Sequence, residues 1–343
     1  MATTALVAAR WSMTFEKEGL PESPWLVADI GGTNARFALV RGSGRTIDEV
    51  VSVRCAEFTG PLDALRAYLD RVGVACPRVA AFAVAAPVLA DTIRLTNSAW
   101  AISCAALQRG LALERLLVIN DFAALAHALP VLQPAQYRVF AGPAPAAGLA
   151  MAVIGPGTGL GVAAIVPSPR GWSAVPSEGG HATLSASTPF ELEVLQDMRR
   201  RFEHVSAERV LSGIGLPTLY GCVAALRGEP GEVRNAEEVT QRAIAGEPCA
   251  TATLDMFCAL LGGFAGNVAL TFGARGGVFI GGGIVAELGE AFFRSPFRAR
   301  FESKGRFTPW LQEVATPLIT APHAALQGAA AALAEVLGAT ATS

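Results

Sequence analysis

Two short glycine-threonine turns carry the residue types that hold phosphate. The first, Gly31-Gly32-Thr33-Asn34, follows the apolar Val27-Ala28-Asp29-Ile30 and precedes Ala35-Arg36-Phe37-Ala38-Leu39-Val40. The second, Gly155-Pro156-Gly157-Thr158-Gly159, lies between Ala152-Val153-Ile154 and Leu160-Gly161-Val162-Ala163-Ala164-Ile165-Val166. Short β-rich runs flanking residues that tolerate positive φ write a hairpin in sequence, so both read strand, tight turn, strand. Glycine leaves backbone N–H groups uncovered and threonine adds a hydroxyl, a combination suited to phosphate oxygens. Either turn alone is explained as well by plain backbone geometry. Their recurrence in equivalent settings implies a duplicated fold that grips a polyphosphate between its halves.

Commoner glycine motifs do not fit. A Walker A loop needs Gly-Lys-Ser/Thr opening a helix, and neither turn has the lysine; a Rossmann fingerprint also opens a helix, whereas Val162 to Val166 reads as a strand. A carboxylate stands out for a different reason. Asp121 follows the apolar Leu116-Leu117-Val118-Ile119 and so ends a strand, where open α/β sheets place ligands; capping a helix that begins at Phe122 is its alternative role. His181 would more often be structural, but Glu178 and two glycines beside it favour a ligand loop. Glu208 follows the cap residue Ser206 and reads equally as a first-turn glutamate.

The elements that must position these residues alternate. Strands are expected at 25–30, 34–40 and 48–54, a helix near 62–72, and an apolar strand at 79–86 ending at Pro87; a strand near 91–95, a helix near 104–110 and a strand at 115–119 follow, which describes a mixed α/β sheet. Gly142 to Gly148 reads as a loop. Thr188-Pro189-Phe190-Glu191 combines a cap, a proline at the first helical position and a capping-box glutamate, so a helix should run to about Arg201. Leu254, Phe257, Cys258, Leu261, Phe264, Ala265 and Val268 keep helical spacing and define one buried face. Gly276 to Ile284 is a buried strand feeding the triple glycine 281–283, where a backbone or a flat ligand such as a purine and ribose can approach closely. A closing helix spans about 323–337.

A chain of 343 residues is long enough for two domains, and its 52% hydrophobic share supplies large cores. With 27 basic and 29 acidic residues and no long run of one sign, no nucleic-acid or membrane partner is expected. Six scattered cysteines without a Cys-x-x-Cys pair fit a reducing cytoplasm better than a disulfide framework. The uncharged stretches 139–169 and 314–334 are broken by proline or glycine and read as core, not membrane spans. Residues 1–23 lack a basic n-region and are expected to be a loosely ordered extension.

In order along the chain, Asp29-Ile30-Gly31-Gly32-Thr33-Asn34-Ala35-Arg36, Leu95-Thr96-Asn97 with Trp100, Ile119-Asn120-Asp121-Phe122, Gly155 to Gly161, Ser177-Glu178-Gly179-Gly180-His181, His204 to Gly213 and Gly276 to Ile284 resemble the bacterial glucokinase family. The resemblance covers nearly everything from Pro24 onward. It implies an α/β, duplicated actin-like ATPase (ribonuclease H-like) fold whose two domains flank a cleft: a small domain of residues 24–131, with the C-terminal segment 322–343 packing on it, and a large one of 132–321. It further implies ATP-dependent phosphorylation of glucose at the 6-hydroxyl. Asp121 matches the catalytic base, and Asn120, Glu178, His181 and Glu208 match residues that hold the sugar hydroxyls. Gly31, Gly32, Thr33, Asn34, Gly157, Thr158 and Gly159 match the phosphate-gripping turns, and Gly281 and Gly282 the adenosine side. Asp29 is expected at Mg²⁺, in or near its water shell. A homodimer is implied by the family alone. Ser177 departs from relatives that have glycine, and the Cys-x-Cys-Gly zinc cluster of a separate glucokinase group is lacking, so no structural zinc is expected. Rival readings are a sugar-sensing repressor, for which 23 preceding residues are too few to form a helix-turn-helix module, and another member of the superfamily, either an acetate-kinase-like enzyme or a chaperone-type ATPase, the latter of which would need a peptide-binding region.

Overall fold

A computed structural model describes residues 23–41, 46–95, 99–139, 141–169 and 171–338. The expected extension before Ser23, the motif residues Thr96 and Asn97, and the last five residues lie outside the described residues. Strand β1 (Trp25–Ile30) turns through Gly31-Gly32-Thr33 into β2 (Asn34–Arg41), which pairs with β3 (Thr46–Arg54). Helix α1 (Pro61–Val72) opens on proline and stops at Gly73, whose φ of 65° is the left-handed stop that glycine accepts best. Next come β4 (Val79–Val84), the small antiparallel pair β5 (Thr92–Arg94) and β6 (Ala101–Ser103), α2 (Cys104–Gly110), β7 (Arg115–Asn120) and α3 (Asp121–Ala128).

The second run repeats this plan with more helix. After β8 (Tyr137–Val139), strand β9 (Met151–Pro156) turns through Gly157-Thr158-Gly159 into β10 (Leu160–Ser168), followed by β11 (Gly171–Ser177). Helices α4 (Pro189–Arg201), α5 (Ala207–Val210), α6 (Gly215–Arg227), α7 (Ala236–Ile244) and α8 (Pro248–Phe272) precede β12 (Gly277–Ile280). Then come α9 (Gly283–Leu288), α10 (Glu290–Arg294), α11 (Phe297–Glu302), α12 (Thr308–Gln312), β13 (Pro317–Ile319) and α13 (Ala324–Val336).

The two sheets run β3-β2-β1-β4-β7 and β11-β10-β9-β12-β13-β8. In each, the first strand pairs antiparallel with the second and parallel with the fourth, and the fourth pairs parallel with the fifth. The expected duplication is therefore present in strand order and direction, with β8 added antiparallel at one edge.

The described residues fall into two compact units, one drawn from 1–131, 168–173 and 323–343 and the other from 132–167 and 174–322. In the first unit, strand alternation sends Leu26, Ala28 and Ile30 into one apolar layer with Leu65, Tyr68 and Leu107, and Trp25 and Val27 into another with Ala124, Leu326, Ala330 and Leu333. All six residues of β4 are buried, as a strand covered on both faces requires. Helix α13 crosses α3 so closely that a Cβ at Gly328 would overlap the Ala124 carbonyl. In the second unit α8 is the central helix. It alone among the described helices is long and apolar enough to cross a membrane, and most of it is buried inside the protein, as the core helix of a folded domain would be. All six cysteines are free thiols.

Neither Gly31, Gly157 nor Gly159 takes positive φ, so their role is not conformational freedom. What their missing side chains leave room for is different at each, and decides the chemistry below.

Candidate active site

Parallel pairing carries the carboxylates of the first unit to one end of its sheet. Ile30 aligns with Val84 and Val84 with Asn120, so Asp29, next to last in β1, and Asp121, just past β7, flank the end of β4. Asn120 is the N-cap of α3, its Oδ1 accepting from the amides of Phe122 at 2.9 Å and Ala123 at 3.2 Å. Capping therefore falls to Asn120, and Asp121 becomes the first helical residue. Asn120 Nδ2 donates to Asp121 Oδ1 at 2.9 Å, and the Phe122 amide donates to the same oxygen at 3.0 Å. Asp121 Oδ2 has no hydrogen bond among the described residues.

Burial pushes the Asp121 carboxyl up to about 6, the negative charge of Asp29 adds to the rise, and the Phe122 and Asn120 donors act against it. At neutral pH such a group is ionised, yet far more basic than an ordinary aspartate. Asp29 is also raised by burial, opposed by Arg36, whose Nη1 lies 3.0 Å from Asp29 Oδ2, and by His323. Arg36 was not singled out from the sequence, but hairpin register alone places it directly opposite Asp29.

Both glycine turns leave amides uncommitted. Gly31 N donates to the Asn34 carbonyl at 3.0 Å and Gly157 N to the Gly159 carbonyl at 2.8 Å, closing each turn. The amides of Gly32 and Thr33, and those of Thr158 and Gly159, have no acceptor among the described residues, and both threonines are exposed. Paired free N–H groups with a hydroxyl alongside suit phosphate oxygens. Asn34 is exposed beside the first turn.

The second unit gathers Glu178, His181 and Glu208. Glu178 ends the path from β11, and Gly179-Gly180 pack it against β10, since a Cβ at Gly180 would collide with the Leu160 carbonyl. Ser177 bonds the Val162 carbonyl at 2.9 Å and accepts from Gly179 N at 3.2 Å, so the departure at this position is structural. Glu208 is carried by α5, which Ser206 caps by accepting from Arg209 N at 3.2 Å. His181 Nε2 lies 3.9 Å from Glu178 Oε2, and its Nδ1 3.8 Å from Glu208 Oε1. Two carboxylates and an imidazole within reach of one another are well suited to a ligand rich in hydroxyls.

Gly281 donates to the Ile154 carbonyl at 2.8 Å; Gly282, at φ 91°, caps α9 where a Cβ would strike the Pro156 carbonyl. Both thus sit beside the strand that leads into the second turn. Trp100 of the matching motif is buried and donates to the Phe58 carbonyl at 3.3 Å, a structural role.

Two successive sheets of one strand order, each with a glycine turn between its first two strands, are those of the actin-like ATPase fold. The glucokinase family model matches residues 26–336. The glucokinase of Paramagnetospirillum magneticum is 48% identical over 308 residues, covering 89% of this chain and 96% of that protein. Among solved structures, a glucokinase from an Antarctic psychrotroph is 39% identical with a TM-score of 0.84, covering 90% of this chain and 98% of the other. A glucokinase of the repressor/open-reading-frame/kinase family from Streptomyces griseus, solved with glucose and AMPPNP, shares the fold at 19% identity and a TM-score of 0.61, covering 90% and 98%. The chain belongs to the glucokinase family.

Proposed function

We propose that this enzyme transfers the γ-phosphoryl group of ATP to the 6-hydroxyl of glucose, giving glucose 6-phosphate. The observation that carries the reading is Asp121, a half-committed carboxyl held near pKa 6 at the end of a parallel strand. Its unbonded Oδ2 takes the proton of the sugar hydroxyl as that oxygen attacks; such general-base help contributes about 10²–10⁴ in rate. Asn120, Glu178, His181 and Glu208 bind the remaining hydroxyls. Gly31, Gly32, Thr33 and Asn34 in one turn, and Gly157, Thr158 and Gly159 in the other, surround the phosphate oxygens, which the uncommitted amides of Gly32, Thr33, Thr158 and Gly159 hold, while Gly281 and Gly282 border the adenosine. Asp29 fits a role at Mg²⁺, because this hard cation is bound by one or two carboxylates together with substrate phosphates. When bound, the ion neutralises phosphate charge. Residues 24–131 with 322–343, and 132–321, are read as the two domains.

Glucose with MgATP should yield glucose 6-phosphate when incubated with the purified chain, followed by phosphorus NMR. ATP hydrolysis without sugar phosphate, or turnover of other hexoses only, would contradict the assignment. We further propose a cytoplasmic homodimer, to be checked by light scattering of the eluting protein.

A further inference from the structure

Glu208 does more than face the sugar loop. Its Oε2 accepts from the amide of Leu160 at 2.9 Å, the residue that follows the second glycine turn. A Cβ built on Gly159 would run into that same carboxylate. The missing side chain at Gly159 is thus the space in which Glu208 rests. The other side of the turn is fastened by the same segment, Gly213 N donating to the Gly157 carbonyl at 2.7 Å. With Oε2 tied to Leu160, Oε1 is the oxygen left toward His181 Nδ1 at 3.8 Å.

We propose that Gly159 and the Leu160 amide are positioning elements for the sugar-binding carboxylate of Glu208, so that the second phosphate turn sets sugar affinity even when no nucleotide is present. This rests on the sugar-kinase reading above. The far end of a glutamate is flexible, so Gly159→Ala should fold and move the carboxylate instead of breaking the turn. Gly263 of α8, outside the site, is the comparison, since a Cβ there meets nothing within 4 Å.

The test is isothermal titration of the full chain with glucose alone. Losing a charge-assisted contact corresponds to roughly 10–100-fold in affinity, so Gly159→Ala should weaken glucose binding by that factor while Gly263→Ala leaves it unchanged. In a Glu208→Ala background, Gly159→Ala should add nothing, because there is no carboxylate to displace. Additive losses, or an unchanged affinity in Gly159→Ala, would overturn the proposal while leaving the kinase assignment standing. Failure of the unmodified chain to bind glucose would remove both. Should Gly159→Ala alone not fold, the proposal requires Glu208→Ala to restore folding, and a double variant that stays unfolded would overturn it.

Discussion

Asn120 and Asp121 divide two tasks that adjoining polar residues often compete for. The asparagine satisfies the first amides of α3, and it also steadies the aspartate through Nδ2, so one aspartate oxygen stays unbonded. Burial and the nearby Asp29 charge then raise the carboxyl to about 6. A base works only when ionised, so kcat/KM for glucose should climb through about pH 6 and level off above it. A limb near the ordinary aspartate value would mean that the burial is lost in the working enzyme. Asp121 was legible in the sequence because an apolar strand ending in Asn-Asp states its own geometry. The hold of Glu208 on the second turn was not, because Leu160 and Glu208 lie far apart along the chain and meet through a backbone amide that no side-chain motif reports.

At the level of elements, α4 shows how a local signal acquires a tertiary use. Thr188 caps it, accepting from Glu191 N at 3.2 Å, while the Glu191 carboxylate accepts from Ser187 N at 2.7 Å. The same carboxylate grips Arg300 of α11 through two bonds of 2.6 and 3.0 Å and is only 3% exposed. Burial alone would raise Glu191, but Arg300 and the amides hold it below its ordinary 4.5. Arg300→Met should therefore cost about 3–5 kcal/mol in urea unfolding at pH 7. Because the depressed carboxyl stabilises above its unfolded value and loses that contribution as pH falls through the folded one, the deficit should shrink in acid below about 4.5. A deficit that does not change with pH would place the energy in packing instead. Helix α8 makes the complementary point. Its spacing revealed one buried face, yet it is buried nearly all round, because Gly262 lets the Phe297 backbone of α11 come so close that a Cβ would overlap its carbonyl. Gly262→Val should destabilise by about 1–3 kcal/mol or more from overpacking, read from the thermal midpoint. An unshifted midpoint would show that α11 yields freely. Short elements such as β8 and α9 to α12 left no period to read, since long-range packing and not local pattern defines them.

For the molecule as a whole, the central relation is between two sheets of one topology that each present a turn with two uncommitted amides and an exposed threonine. Duplication was readable because both turns sit between apolar strands; the purpose of Gly159 was not, since its φ stays ordinary and the space beside it is taken by Glu208. The proposed reaction has this family member move a phosphoryl group to glucose with Asp121 taking the proton. The most direct measurement compares Asp121→Asn with the unmodified chain in two assays run side by side, glucose 6-phosphate formation with MgATP and glucose binding by titration. Asparagine keeps the shape and the hydrogen bonding but cannot accept the proton. Asp121→Asn should lower kcat by about 10²–10⁴ with glucose affinity retained; turnover near that of the unmodified chain would contradict Asp121 as the base.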